Sequence, residues 1–256
     1  MRVMMIGDVV SQPGCDFLRK TLPAFKREQK IDAVVCNGEN SAVGNGILPH
    51  SADFLFDSGV DVITGGNHSL RRREIQDYLD DHPNLLRPAN YPDGCCGNGW
   101  YKLDLGNATL LVISVLGQVY LEPIGSPFAC CDRILKEVSA DFTVVDFHAE
   151  ATGEKMALGY YLDGRVSAVA GTHTHVQTAD ETILPEGTGY ISDLGMTGPI
   201  RSILGVNPEN IVRRMTTYLP TRFEVPNNTP CKMEGVILEL DRKTGKCVKI
   251  SRFQLS

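Results

Sequence analysis

"DAVVCNGEN", residues 32–40, sets four small or branched apolar residues before a polar tip of glycine, glutamate and asparagine. A short continuous apolar run of this kind reads as a strand buried on both faces, which is the habit of parallel sheets covered by helices. The pattern repeats on either side. "RVMMIGD", residues 2–8, is an apolar run ending in glycine and aspartate, and "DVITGGNHS", residues 61–69, ends in two glycines, asparagine and histidine. Residues 14–29 and 49–58 read as the intervening helices, with Pro23 expected to break or restart the first and Gly59 to close the second. A β-α-β-α-β opening implies parallel strands joined by right-handed crossovers.

Further along, "WYKLDLGNATLLVISVLG" (100–117) reads as an antiparallel hairpin turning at Gly106-Asn107, and "DFTVVDFHAE" (141–150) as another buried strand with a polar tip. "EKMALGYYLDG" (154–164) is expected to be helical, with Gly164 just past its end. "RVSAVAGTHTH" (165–175) is the next strand, "GTGYISDLG" (187–195) is strand-like, and residues 208–219 are helical. "KMEGVILELDRKTGKCVKISRFQ" (232–254) closes the chain as a hairpin around Thr244-Gly245. No internal repeat, low-complexity segment or linker interrupts the pattern. The expectation is one α/β domain over residues 1–256, a mixed sheet system with helices outside.

The 256 residues suffice to bury a substantial core, and 42% hydrophobic with 22% charged residues is ordinary for a globular chain. A net charge of -6 argues against a broad basic surface for long nucleic acid. An anionic substrate must therefore be drawn in by something local. The N-terminal apolar run is too short for a signal peptide, and no stretch reaches the roughly 20 apolar residues of a membrane span. The expected location is the cytoplasm, with no membrane partner. Eight cysteines are present without any C-x-x-C spacing, so they read as reduced thiols, mostly buried, rather than a zinc site.

Five strand ends deliver polar groups: Asp8, Glu39 with Asn40, Asn67 with His68, His148, and finally His173 with His175. Ligands of open α/β folds bind at the carboxyl ends of strands. Taken singly, Asp8 could cap a helix, Asn40 and Asn67 could be turn residues, and His148 could be a satisfied core histidine. Occurring together at every strand tip, they read as a metal site. If residues 171–175 are extended, His173 and His175 project from the same face. Two carboxylates, two amides and up to four histidines exceed the three protein ligands of a catalytic zinc and favour a pair of cations about 4 Å apart. Glu39, with two oxygens and a central place in the order, is the natural bridge. His50 and His82 fall outside this set. "LRRREI" (70–75) reads as a solvated helix face from which one arginine could reach a phosphate.

The ordered segments "GDVV", "NGEN", "GGNHS", "DFHAE" and "GTHTH" resemble the calcineurin-like metallophosphoesterases. The chain is most similar to their bacterial YmdB-like branch, whose members act as phosphodiesterases on small nucleotides. "MIGDVV", "NGENSA", the run from Phe147 to Asp180, and "LGMTGP" carry that likeness over nearly the whole chain. The resemblance implies a four-layer αββα sandwich of mixed sheets. It also implies that Asp8, Glu39, Asn40 and His175 surround one metal, and Glu39, Asn67, His148 and His173 the other. The metals implied are iron or manganese, with zinc as a further candidate, and the ligand chemistry permits all three. The chain departs from the superfamily's usual D-x-H at Val10, where Asn40 fills the coordination place, and Glu39 replaces the commoner aspartate. Ser69, Leu70 and Arg71 replace the aromatic and acid that usually follow G-N-H.

The reaction implied is hydrolysis of a small phosphodiester such as a cyclic nucleotide. Attack comes from a hydroxide bridging the metals, and His68 acts as general acid to the leaving oxygen. The competing reading is a regulatory protein that binds metal or nucleotide with little or no turnover. A dinucleotide-binding oxidoreductase is disfavoured because "VGNGILP" lacks the third glycine of its motif, and a serine hydrolase because no G-x-S-x-G occurs. The reading leaves open whether the chain forms a homo-oligomer.

Overall fold

Along the first strand, β1 (Arg2–Ile6), Met4 and Ile6 face one way and Val3 and Met5 the other, and this alternation sorts the core into layers. The protein is described by a computed structural model covering residues 1–227 and 229–256. Met4 and Ile6 join Val34 and Cys36 of β3 (Ala33–Asn37) and pack under Leu18 and Leu22 of α1 (Ser11–Glu28) and Leu55 of α2 (Pro49–Asp57). Val3, Met5 and Val35 face a second sheet, meeting Leu110 and Val112 of β6 (Thr109–Leu116) and Val144 of β7 (Phe142–His148). The far side of that sheet presents Leu111, Ile113, Val145 and Phe147. These pack on Cys131 and Ile134 of α4 (Pro127–Glu137) and Leu158 of α5 (Thr152–Tyr161). The result is helices, sheet, sheet, helices: the expected four-layer αββα sandwich.

The first sheet runs in the order β2 (Asp8–Val9), β11 (Met196–Pro199), β12 (Cys231–Leu240), β1, β3, β4 (Val62–Thr64). β13 (Cys247–Leu255) pairs with β12 as the closing hairpin. β1, β3 and β4 are parallel, while β12 runs antiparallel to both β1 and β11, so the sheet is mixed. The second sheet is β5 (Trp100–Asp104), β6, β7, β8 (Ala168–Thr172), β10 (Gly189–Ile191) and β9 (Thr182–Ile183). Its middle strands, β6, β7, β8 and β10, are parallel. Both sheets therefore send the carboxyl ends of their parallel strands to an edge where polar tips accumulate.

Two local expectations differ from the structure. α1 runs unbroken through Pro23, because Leu18, Leu22 and Phe25 anchor the helix on both sides of the missing N–H. Residues 70–74 form turns rather than a helix face, and α3 (Ile75–Asp81) begins only after them. Arg72 donates to the carbonyls of Val43, Gly44 and Asn45, so it pins a loop rather than extending into solvent. α4 starts at a sequence-readable signal, Ser126 accepting from Ala129 N ahead of Pro127. α6 (Pro208–Thr217) lies where a helix was expected and ends at Tyr218 in a left-handed conformation. All eight cysteines are free, five of them buried. Among the described residues no helix is long and apolar enough to cross a membrane.

Candidate metal centre

Asp8 follows β1, Glu39 and Asn40 follow β3, Asn67 and His68 follow β4, His148 ends β7, and His173 and His175 follow β8. The structure brings all eight together where the carboxyl ends of the two sheets meet. Glu39 lies at the middle. Its Oε1 is 3.1 Å from His148 Nε2, 3.2 Å from Asn40 Nδ2 and 3.3 Å from His68 Nδ1, and its Oε2 accepts from His68 N at 2.8 Å.

On one side of Glu39, His148 Nε2 also lies 3.1 Å from Asn67 Oδ1 and 3.0 Å from His173 Nδ1. Glu39, His148 and His173 form a group whose ligand atoms lie within 4.8 Å of one another. On the other side, Asp8 Oδ1 is 3.4 Å from Asn40 Nδ2 and 3.5 Å from His175 Nε2, and His175 Nε2 is 3.4 Å from Asn40 Nδ2. Glu39 contacts both clusters, through Asn40 on one side and His148 on the other.

His173 and His175 do not project from one face of a strand. β8 stops at Thr172, and both histidines adopt left-handed backbone conformations, with φ of 106° and 62°. The turn sends the His173 ring to His148 and the His175 ring to Asp8, one into each cluster. It is held by backbone hydrogen bonds to buried carboxylates. His173 N donates to Asp8 Oδ2 at 3.1 Å, and Thr174 N donates to Asp193 Oδ2 at 3.0 Å. Asp193 is paired with Lys155 Nζ at 2.8 Å, both fully buried, so an ion pair from α5 stands behind the turn. His175 Nδ1 lies 3.0 Å from the Leu204 carbonyl, which directs Nε2 inward.

Gly66, next to Asn67, shows how tightly the centre is built. A Cβ there would collide with the His148 ring and lie 2.5 Å from Glu39 Oε2, so no larger residue fits. Ser69, one of the departures after G-N-H, is buried and accepts from Gly66 N at 2.9 Å, so it caps this turn. His50 is exposed, and His82 stacks on Tyr78 at 3.6 Å, so neither belongs to the site.

Four further residues belong to the surroundings and were not flagged from sequence. Glu150 Oε2 lies 3.1 Å from His173 Nε2, on the side of the ring away from His148. Asn37, Asp146 and Thr172 lie beneath His148, all fully buried. The available signals were a polar residue inside an apolar strand run, Asp146 in "TVVDFH", and the acid two residues after His148.

The electrostatics are those of a site arranged for cations. Burial pushes the Glu39 carboxyl up, but His148 and His68 outweigh it and hold the group well below the ordinary carboxylate range. Burial likewise opposes ionisation of Asp8, and His175 overcomes it. His148 is opposed by burial and driven up to about 9 chiefly by Glu39. For protein stripped of metal by a chelator the sign follows. A raised histidine stabilises the fold fully below its unfolded value near 6.5 and loses that contribution as pH rises through about 9. The melting temperature of chelated protein is expected to fall between pH 6.5 and 9. A flat profile across that range, read by differential scanning calorimetry, contradicts the His148–Glu39 coupling.

The fold and its strand-tip carboxylates, amides and histidines define the class: a calcineurin-like metallophosphoesterase architecture. The sequence matches the family described as YmdB-like protein over residues 4–253, and the chain belongs to that family. It is 46% identical over 258 residues to the 2',3'-cyclic-nucleotide 2'-phosphodiesterase of Bacillus subtilis (strain 168), covering 100% of this chain and 97% of that one. A crystal structure of a hypothetical protein from Thermus thermophilus superposes with a TM-score of 0.94 at 41% identity, over 100% of this chain and 99% of the other. A phosphatase from Mycoplasma pneumoniae superposes with the same TM-score at 31% identity, over 100% and 93% of the two chains.

Proposed function

We propose that this chain is a two-metal phosphodiesterase that hydrolyses small phosphodiesters such as 2',3'-cyclic nucleotides, as one metallophosphoesterase domain spanning residues 1–256. The observation that carries the reading is the crowding at His148 Nε2. One carboxylate oxygen, one amide oxygen and one imidazole nitrogen lie within 3.1 Å of it. A single proton on Nε2 cannot serve three acceptors, whereas one cation accepts lone pairs from all four groups. The donor set therefore fits a metal. The second cluster supplies a carboxylate, an imidazole and an amide around Glu39, and the mixture of nitrogen and oxygen donors suits iron, manganese or zinc.

The ions, when bound, supply Lewis-acid polarisation of the phosphate and lower the pKa of water. Asp8, Glu39, Asn40 and His175 would hold one, and Glu39, Asn67, His148 and His173 the other. Asn40 now points Nδ2 at Asp8, Glu39 and His175, and its Oδ1 lies 2.9 Å from His68 Nδ1. Ligation through Oδ1 would require the amide to be turned over.

His68 Nδ1 lies 3.3 Å from Glu39 Oε1, an acceptor that does not depend on the orientation of the Asn40 amide, and this leaves Nε2 as the nitrogen that meets the leaving oxygen. Its side chain is 21% exposed, unlike the fully buried His148, as a group that touches substrate must be. The cleavage named for the Bacillus relative breaks the bond to the 2' oxygen, which leaves as an alkoxide and needs a proton. His68 as imidazolium supplies it. An acidic chain offers long RNA little attraction beyond the metals.

The test is incubation of manganese-loaded and chelated protein with 2',3'-cyclic AMP. Multiple turnovers to 3'-AMP with manganese, abolished by chelator, are expected. Stoichiometric binding of the nucleotide with no product released identifies a sensor rather than an enzyme and overturns the proposal.

A further inference from the structure

The network beneath His148 does not touch the proposed ions, yet it constrains which nitrogen can meet one. Thr172 Oγ1 lies 2.7 Å from Asp146 Oδ1 and 2.9 Å from His148 Nδ1. The other oxygen of Asp146 accepts from Asn37 Nδ2 at 3.0 Å and from the Thr64 hydroxyl. Asn37, Thr64, Asp146, His148 and Thr172 are all buried, so water does not complete these bonds.

Counting protons resolves the directions. A carboxylate only accepts, and Asp146 is surrounded by three donors. Thr172 has one hydroxyl proton, and Asp146 takes it. The lone pairs of Thr172 Oγ1 then face His148 Nδ1, which must carry the proton of that bond. Asn37 Nδ2 also stands 3.4 Å from His148 Nδ1, but its two protons go to Asp146 and to the Gly65 carbonyl at 3.2 Å. With Nδ1 protonated, Nε2 is the nitrogen whose lone pair is free to bind a metal, and it is the one facing Glu39, Asn67 and His173.

We infer that Thr172, backed by Asp146, is a positioning residue that locks His148 with its proton on Nδ1 and aims Nε2 at the metal. The inference rests on His148 being a ligand, as proposed above. The device is a carboxylate–hydroxyl–imidazole relay in place of the direct carboxylate–histidine pair common at metal sites. Asn37 extends it toward Glu39, because Asn37 Oδ1 accepts from Glu39 N at 3.2 Å. One buried carboxylate thereby braces a histidine of one sheet and the central glutamate of the other.

The experiment uses zinc as a diamagnetic probe on the full chain. Zinc is titrated against a competing chelator for wild type, Thr172→Val and Thr172→Ser, and the His148 imidazole N–H is followed by 15N-edited NMR in the zinc-loaded forms. Valine keeps the shape and removes the hydroxyl, while serine keeps the hydroxyl. Thr172→Val is expected to weaken zinc binding by about 10- to 100-fold, with Thr172→Ser within about threefold of wild type. Wild type and Thr172→Ser should show a protected, hydrogen-bonded Nδ1–H that is lost or shifted in Thr172→Val. Equal zinc affinity in wild type and Thr172→Val overturns the inference, as does serine failing to rescue. Should Thr172→Val not fold, the zinc-loaded wild-type spectrum alone decides, since His148 found protonated on Nε2 rather than on Nδ1 contradicts it. Wild type that takes up no zinc, manganese or iron overturns the metal reading itself, and the relay with it.

Discussion

Glu39→Gln should lose metal far more completely than Asp8→Asn. The Glu39 carboxylate meets ligand side chains of both clusters, Asn40 on one side and His148 on the other. Asp8 reaches only Asn40, His175 and the backbone of His173. Two unit charges about 4 Å apart repel by ~4 kcal/mol at an effective dielectric of 20, and dications by roughly four times as much. The carboxylate between them offsets more of that repulsion than one at the side. The amide of glutamine removes this charge and also presents an N–H toward His148 or the backbone N–H of His68. Binding of the second ion should weaken by more than about 100-fold, above the roughly 10- to 100-fold typical of changes one step removed from a metal. Elemental analysis of both purified variants checks this, and equal metal content would contradict the bridging role of Glu39.

His68→Ala should keep both metals and the fold but lose turnover. His68 touches Glu39 and Asn40 through Nδ1, yet the cluster of Glu39, His148 and His173 forms without it. General acid catalysis is typically worth about 10² to 10⁴ in rate, and kcat should fall by that much on a 2',3'-cyclic nucleotide. The loss should shrink for bis-p-nitrophenyl phosphate, whose nitrophenolate departs without a proton. The backbone N–H of His68 still donates to Glu39 in the alanine variant, so metal binding has a reason to survive. If the variant loses metal, or if both substrates suffer equally, His68 supports the Asn67 turn and is not the acid.

The strands at 2–8, 32–40 and 61–69 were legible because a strand buried between helices and a second sheet must be apolar on both faces, and such runs stand out. Their polar tips were legible for the same reason: Asp8, Glu39 and Asn67 interrupt sequences that have no other use for charge or amide. The second sheet followed from the same grammar at Phe142–His148 and Ala168–Thr172.

The turn at His173–His175 was not legible. Alternation assumes an extended chain, and the left-handed conformation there depends on bonds from Asp8 and Asp193, which come from distant segments. The buried partnership of Lys155 with Asp193 was hidden similarly, since it joins a helix to a strand tip across 38 residues. Pro23 does not break α1 because core contacts, invisible to local propensity, hold the helix together on both sides of it. Asp146 was readable in principle. A charge in the middle of an apolar run is costly to bury unless it is bonded, and "TVVDFH" announced one.

Glu39 is proposed to join two metal positions in one catalytic centre. The most direct measurement is elemental analysis of protein loaded with manganese or iron, together with an anomalous difference map from its crystals. Two ions per chain flanking Glu39 are expected, one near Asp8, Asn40 and His175 and the other near Asn67, His148 and His173. A single ion at full loading, or two ions with Glu39 bound to only one, would contradict it.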